Sequence, residues 1–264
     1  MLRKRVNLFG VYIDDISLKH AVLLARQSLC GGEKRCFFTP NLEMISRARR
    51  EEQIKELLNS SSVALPDGFG LKILASIMQK KIENTVAGID FGENLLRFAE
   101  REGAKVFLLG AERGVAQKAA RNVLTKHPRL EICGVFHGYF KQEQSGAVCR
   151  MIEKSGADAL IVCQGFPRQE EFARLMMSRE NSPKVIACLG GSLDVWSGKV
   201  NRAPKVMRDA HLEWLWRMAN EPSRCPRFVK SLDAITGALE KRMEKILFCG
   251  INEQKRAYNQ TDIL

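Results

Sequence analysis

The sequence predicts an α/β fold: a mostly parallel sheet with helices on both faces, followed by a helical C-terminal appendage. Two observations predict it. Short β-branched or apolar runs alternate with longer segments of helical period, the signature of strand–helix–strand units. That alternation then stops near Gly198, and no further strand signal follows. The 264 residues, 45% of them apolar, suffice to bury a core without disulfides or metals as staples.

The expected strands are Val6 to Ile13, Cys36 to Thr39, Ser62 to Leu65, Lys105 to Leu109, Glu131 to Val135, Ala159 to Cys163 and Lys184 to Leu189. Each is a short apolar run, and several end at Pro or Gly: Pro40, Pro66, Gly110 and Gly190. The first expected helix is Leu42 to Asn59, with Leu42, Ile45, Ile54, Leu57 and Leu58 as its stripe. Phe69 to Gln79, Glu93 to Glu102, Arg113 to Lys126, Gln142 to Lys154 and Gln169 to Arg179 supply the others. In such sheets the ligand lies beyond the carboxyl ends of the strands, so polar residues just after strands are where chemistry belongs.

Several function classes are excluded early. No stretch approaches the roughly 18 apolar residues of a spanning helix; the run Val185 to Leu193 has the length of a buried strand. The basic start Met1-Leu2-Arg3-Lys4-Arg5 has no apolar region after it, which argues against a signal peptide. The expectation is a cytoplasmic protein, or one peripheral on the inner face of the plasma membrane. Eight scattered cysteines with no C-x-x-C pair read as small buried hydrophobes in a reducing compartment, and the four histidines give no zinc spacing.

Charge narrows the partners. The net charge is +12 and the pI about 9.5, so an anionic partner is expected. From Lys199 to Lys230 there are eight Lys/Arg and three Asp/Glu, +5 in 32 residues, whereas the first 198 residues carry +7. Trp214 and Trp216 lie in that segment beside Leu212, Leu215 and Met218. The pattern suits a membrane-surface helix, a helix folding over a phosphorylated ligand, or an ordinary docking helix with a solvated basic face. We therefore divide the chain into an α/β domain, 1–198, which is where chemistry is to be sought, and a basic helical appendage, 199–264.

Candidate residues follow the strands. Asn41, in Thr39-Pro40-Asn41, fits both a helix N-cap and a ligand contact. Asp67, in Pro66-Asp67-Gly68, lies 26 residues further on, about one helix plus one strand, so both should emerge from one sheet edge. Pro-Asp-Gly also makes an ordinary turn. A carboxylate there can take a proton from an attacking hydroxyl, provided its surroundings raise its basicity above that of a free Asp, with a pKa of about 3.9. Gly110 opens a strand-to-helix turn where amides can approach phosphate, but the full G-x-G-x-x-G is missing. Gln169 and Asp194 follow two further strands, and Asp194 can accept from ribose hydroxyls. Arg217, Arg224 and Arg227 would share a face of an unbroken helix and could clamp phosphate, although Pro222 and Pro226 interrupt that helix. No Asp-x-Asp occurs, so a diphosphate would have to be neutralised by arginines rather than a carboxylate-held metal.

Eight motifs occur in order: Thr39-Pro40-Asn41, Pro66-Asp67-Gly68, Val106-Phe107-Leu108-Leu109-Gly110, His137-Gly138-Tyr139-Phe140, Pro167-Arg168-Gln169-Glu170, Gly190-Gly191-Ser192-Leu193-Asp194, Arg202-Ala203-Pro204-Lys205 and Leu212-Glu213-Trp214-Leu215. Together they resemble the WecG/TagA/CpsF family of bacterial glycosyltransferases, over Val6 to Arg227. The resemblance implies a Rossmann-like domain with an appendage that completes the site at the membrane. It implies an inverting, metal-independent transferase without a cofactor. Such an enzyme moves a sugar, N-acetylmannosamine foremost, from a UDP donor to a polyprenyl-diphosphate-linked sugar in cell-wall, teichoic-acid or polysaccharide biosynthesis. By motif, Asp67 becomes the general base. Thr39, Asn41 and Gln169 line the pocket, Arg217, Arg224 and Arg227 neutralise the diphosphate, and Tyr139 and Asp194 contact the nucleoside. Phe166 and Arg168 stand where the family pattern has Ala and Lys, and Leu193 and Val195 flank Asp194 where Phe is usual. These changes leave the polar residues in place. Donors UDP-ManNAcA and UDP-glucose stay open, as does association into a homo-oligomer. A nucleotide-binding oxidoreductase lacks its dinucleotide fingerprint, and a nucleic-acid-binding protein lacks any motif beyond charge.

Overall fold

A computed structural model describes residues 3–220 and 225–261, with side chains described through residue 244 except at 227. The chain starts with an antiparallel hairpin, β1 (Arg5–Leu8) and β2 (Val11–Asp14), pairing Arg5 with Asp14. This corrects the single strand expected over Val6 to Ile13. The turn residues Phe9 and Gly10 have φ of +51° and +88°, and two successive positive φ values fold a strand back on itself.

Helix α1 (Leu18–Leu29) was not expected from the sequence pattern; its buried positions are Ala21, Val22, Ala25 and Ser28, too small to make an obvious stripe. Then come β3 (Arg35–Phe38), α2 (Leu42–Arg50), α3 (Glu52–Asn59) and β4 (Val63–Ala64). The expected single helix Leu42 to Asn59 is thus two helices, broken at Glu51 with φ −120° and ψ 104°. The break has a physical reason. At about 100° per residue, Ile54 would lie roughly 180° round a straight helix from Ile45. Breaking at Glu51 lets Ile45 and Ala48 of α2 and Ile54, Leu57 and Leu58 of α3 all face the same core.

The rest follows the expected alternation: α4 (Gly70–Ile77), α5 (Gly88–Glu102), β5 (Lys105–Gly110), α6 (Val115–Lys126), β6 (Glu131–Phe136), a 3₁₀ turn (Gln142–Gln144), α7 (Ser145–Ser155), β7 (Ala159–Cys163), α8 (Arg168–Met177), β8 (Val185–Cys188) and α9 (Ser192–Trp196). The last segment is helical: α10 (Lys205–Asp209), α11 (Glu213–Asn220) and α12 (Cys225–Thr261).

Six strands form one sheet in the order β4-β3-β8-β7-β5-β6, every pair parallel. Side chains alternate between its two faces. Phe38, Phe107, Leu109 and Ile186 point into one core, and Phe37, Val106, Leu108 and Ala187 into the other. At one edge, Asp14 caps β4: its carboxylate accepts the Ala64 N–H at 2.8 Å, and Arg5 Nε pairs with it at 3.1 Å. At the other edge, β6 bulges: Val106 pairs with Ile132 but Phe107 with Gly134, leaving Cys133 over.

The final helix is anchored to the sheet domain. Ala234 and Ala238 belong to the core under α2 and α4. Ser46 Oγ donates to the Lys230 carbonyl at 2.8 Å, and Arg49 pairs with Asp233 at 3.3 Å. Trp214 of α11 stacks on Phe228 of α12, and His211 stacks on Phe69, just before α4. These contacts carry α11 to the carboxyl edge of the sheet. Among the described residues, no helix is long and apolar enough to cross a membrane.

Candidate active site

The sheet dictates where the site lies. A cleft of about 320 Å³ opens beyond the carboxyl ends of the strands, and the loops after all six reach it. Thr39 and Asn41 come from β3, Asp67 from β4, Glu112 from β5, Tyr139 from β6, Gln169 from the helix after β7, and Asp194 from the helix after β8. Arg217 reaches the same cleft from α11.

Asp67 and Asn41 emerge from neighbouring strands, as their spacing predicts. The Asp67 N–H donates to the Pro40 carbonyl at 3.0 Å, tying the two loops together. Asn41 caps α2, its Oδ1 accepting the Met44 N–H at 3.1 Å, while its side chain still borders the cleft. Thr39 Oγ1 donates to the Cys188 carbonyl at 3.1 Å, joining β3 to β8 at the cleft floor.

The Asp67 carboxylate makes no side-chain hydrogen bond among the described residues. The surrounding protein strips its water and pushes its pKa up to about 7. The Arg217 guanidinium opposes that rise, whereas Glu213 and Asp90 add to it. Both acids are themselves paired: Arg217 donates to Glu213 at 2.8 Å, and Arg202 meets Asp90 at 2.7 Å. The site therefore holds a carboxylate of raised basicity with a fixed cation facing it. A proton acceptor near neutral pH beside a permanent positive charge suits acid–base chemistry on a substrate that releases an anion.

Other expected residues are placed as follows. Tyr139 stands at the rim, 69% exposed, where it can lie against a flat ring. Asp194 borders the cleft, 4.0 Å from Lys199 Nζ. Gln169 is 1% exposed, and both ends of its amide are engaged within the protein. Gly110 lies behind the wall, and Ala111 and Glu112 line the cleft in its stead. Its own reason to be glycine is packing: at φ +144°, a Cβ there would stand 2.2 Å from the Cys163 carbonyl oxygen. Arg224 lies outside the described residues, as does the side chain of Arg227.

The structure adds charged groups to which the sequence assigned no role in the site. Lys199 bridges to Glu112 at 2.9 Å across the cleft edge. Arg168 lines the cleft, donates to the Phe140 carbonyl and lies 4.9 Å over the Phe140 ring. The signal for both was position: Lys199 follows directly on Gly198, where the strand–helix alternation stops, and Arg168 opens a helix after a strand. Among the described residues, no three His, Cys, Asp or Glu side chains are arranged to hold a metal ion.

The model of the glycosyl transferase WecG/TagA/CpsF family matches residues 6–246. The chain belongs to this family. Relatives within it are N-acetylglucosaminyldiphosphoundecaprenol N-acetyl-beta-D-mannosaminyltransferases. That of Bacillus subtilis is 30% identical over 80% of this chain and 81% of its own. That of Bacillus spizizenii is 32% identical over 76% and 77%. That of Staphylococcus aureus is 29% identical over 92% and 94%. As a WecG/TagA/CpsF protein the chain is a glycosyltransferase, and five of its eight motifs, those holding Thr39, Asp67, Tyr139, Gln169 and Asp194, meet at the cleft beyond the six strands.

Proposed function

We propose that the protein transfers N-acetylmannosamine from UDP to a polyprenyl-diphosphate-linked N-acetylglucosamine, with inversion at the anomeric carbon. The observation that carries this reading is Asp67, a carboxylate of raised basicity facing Arg217 in a cleft built by every carboxyl-end loop of the sheet. Three relatives whose names give that sugar and that lipid-linked acceptor support the substrate choice.

Asp67 takes the proton of the acceptor hydroxyl as its oxygen bonds to the anomeric carbon. The bond from that carbon to the diphosphate oxygen breaks on the opposite face, and UDP leaves with the electron pair. Negative charge grows on the diphosphate and needs fixed positive partners. Arg217 and Arg168 line the cleft for that role, and Arg224 and Arg227 join them by their place in the family motif. With no Asp-x-Asp in the chain, arginine rather than a carboxylate-bound metal carries this load.

In this reading, residues 1–198 hold the base and Arg168, and residues 199–264 bring Arg217, Arg224 and Arg227 and dock on the inner face of the cytoplasmic membrane. Val206 is 79% exposed, and Leu212, Trp214, Leu215 and Val229 are also open to solvent among basic residues, a composition that suits a lipid surface. Replacing Val206 and Leu215 with Asp is expected to weaken binding to vesicles containing anionic lipid on the order of tenfold per residue, given about 1.5–3 kcal/mol for burying such a side chain. Unchanged co-sedimentation would remove this face from the docking surface.

The test of the reaction is donor competition on a short-chain lipid-diphosphate-N-acetylglucosamine acceptor. UDP-N-acetylmannosamine should yield a β-linked disaccharide, and UDP-N-acetylglucosamine, UDP-glucose and UDP-ManNAcA should yield little. Turnover with a different donor would overturn the sugar assignment, and no transfer from any UDP-sugar would overturn the reaction.

A further inference from the structure

Beneath the cleft, the first turn of α8 carries Glu170, a carboxyl with 0% of its surface exposed. Its Oε1 accepts the Gln169 Nε2–H at 2.8 Å, and its Oε2 is buried with no hydrogen-bond partner among the described residues. The other end of the same amide, Gln169 Oε1, accepts the Gly190 N–H at 3.1 Å. Gly190, Gly191 and Ser192 form the cleft wall after β8. One hydrogen-bonded chain therefore runs from a buried carboxyl, through the amide, to the backbone of the wall.

We propose that Glu170 is a positioning residue for glycosyl transfer: its carboxyl oxygen fixes which way the Gln169 amide faces, and so holds the Gly190–Ser192 wall in the shape the substrate meets. The inference rests on the cleft being the transferase site. An amide can present either its oxygen or its NH2 to Gly190. Only the oxygen can accept the Gly190 N–H; the flipped amide would set two donors against each other and leave a buried N–H unpaired. The acceptor on Glu170 selects the productive orientation, because it can receive only the NH2 end.

The carboxyl need not be charged to do this. Burial pushes the Glu170 pKa up to about 7, with the neighbouring Glu171 adding to the rise. The thiol of Cys188, on the adjacent strand, is itself held neutral by burial. A protonated Glu170 keeps one oxygen as acceptor and can carry its proton on the other. Glu170→Gln offers the same acceptor oxygen without charge, and Glu170→Leu offers none.

Steady-state kinetics of the full chain with UDP-N-acetylmannosamine tests this. Glu170→Leu is expected to lower kcat 10- to 100-fold, and Glu170→Gln to restore it to within about threefold of wild type. In a Gln169→Ala background, Glu170→Leu should change kcat less than twofold, because the link through which it acts is gone. A Glu170→Gln protein as impaired as Glu170→Leu, or additive losses in the double variant, would overturn the proposal. Amide hydrogen exchange reads the same chain without turnover. The Gly190 N–H should exchange at least tenfold faster in Glu170→Leu but not in Glu170→Gln. Should Glu170→Leu fail to fold, Gln169→Met breaks the next link, and Gly190 exchange should rise by the same factor. Unchanged exchange in the folded variants would sink the positioning role. An inactive wild type with the exchange pattern intact would instead fault only the assigned reaction.

Discussion

Asp67→Asn is expected to lower kcat by about 10²–10⁴-fold, the usual worth of a positioned base, while UDP affinity, read by calorimetry, stays within about twofold. The pH profile should carry the same signature. The base works only when deprotonated, and burial has raised the Asp67 pKa to about 7. The rate on the acid side should therefore fall tenfold per pH unit below about pH 7, rather than below pH 4 as for a free Asp. Stability should move the other way. Between the free carboxyl's pKa of about 3.9 and about 7, the folded state binds more protons than the unfolded one, so stability declines as pH rises through that window. Asp67→Asn removes this cost, and the variant should melt at a higher temperature than wild type at pH 8. An Asn variant retaining a tenth of wild-type turnover would rule out Asp67 as the base.

Arg217→Ala should lose about 10²–10³-fold in kcat, in the range seen when one preorganised donor to a developing anion is removed. It also carries a second, separable effect. Arg217 holds the Asp67 pKa down while Glu213 pushes it up. Removing the guanidinium takes away the attraction and frees Glu213 from its 2.8 Å partner. The acid limb of the residual activity should therefore shift to higher pH. Arg217→Ala combined with Glu213→Gln should bring the limb part of the way back. A limb that does not move in Arg217→Ala would mean that the cation does not sense the base, and the electrostatic pairing across the cleft would be wrong.

What the sequence made legible follows from how local each signal is. Ala159–Cys163 reads as a buried strand because every residue is apolar, and it is one. Asn41 and Asp67 could be set on one edge because one helical stretch, though broken at Glu51, and one strand separate them, and β3 and β4 are neighbours. The break at Glu51 had no Gly or Pro to announce it; its trace was a phase slip in the apolar stripe between Ile45 and Ile54. The hairpin turn hid inside a mostly apolar run, Val6 to Ile13, because Phe9 occupies a positive-φ position usually left to Asn, Asp or Gly, and Gly10 alone beside it did not mark a turn. In the site, motif position placed Gln169 at the cleft, but burial decides what it does, and burial depends on strands far away in sequence. The encounter of Arg217 with Asp67 depends on α12 docking against α2, a contact with no local sequence signature.

The two edges of the sheet have a consequence for the company the protein keeps. An open parallel sheet offers rows of unpaired backbone groups to any strand that passes, and such edges seed aggregation unless blunted. Here β4 is only two residues long, and its Ala64 N–H is taken by the Asp14 carboxylate, with Arg3 donating to the Ser62 carbonyl at 2.7 Å. At the far edge, the extra residue Cys133 in β6 spoils the even ladder an incoming strand would need. Neither border invites a seventh strand. Two copies of the chain brought together at high concentration would therefore meet with their sheets closed to one another, and any contact between them would run through side chains rather than a shared ladder.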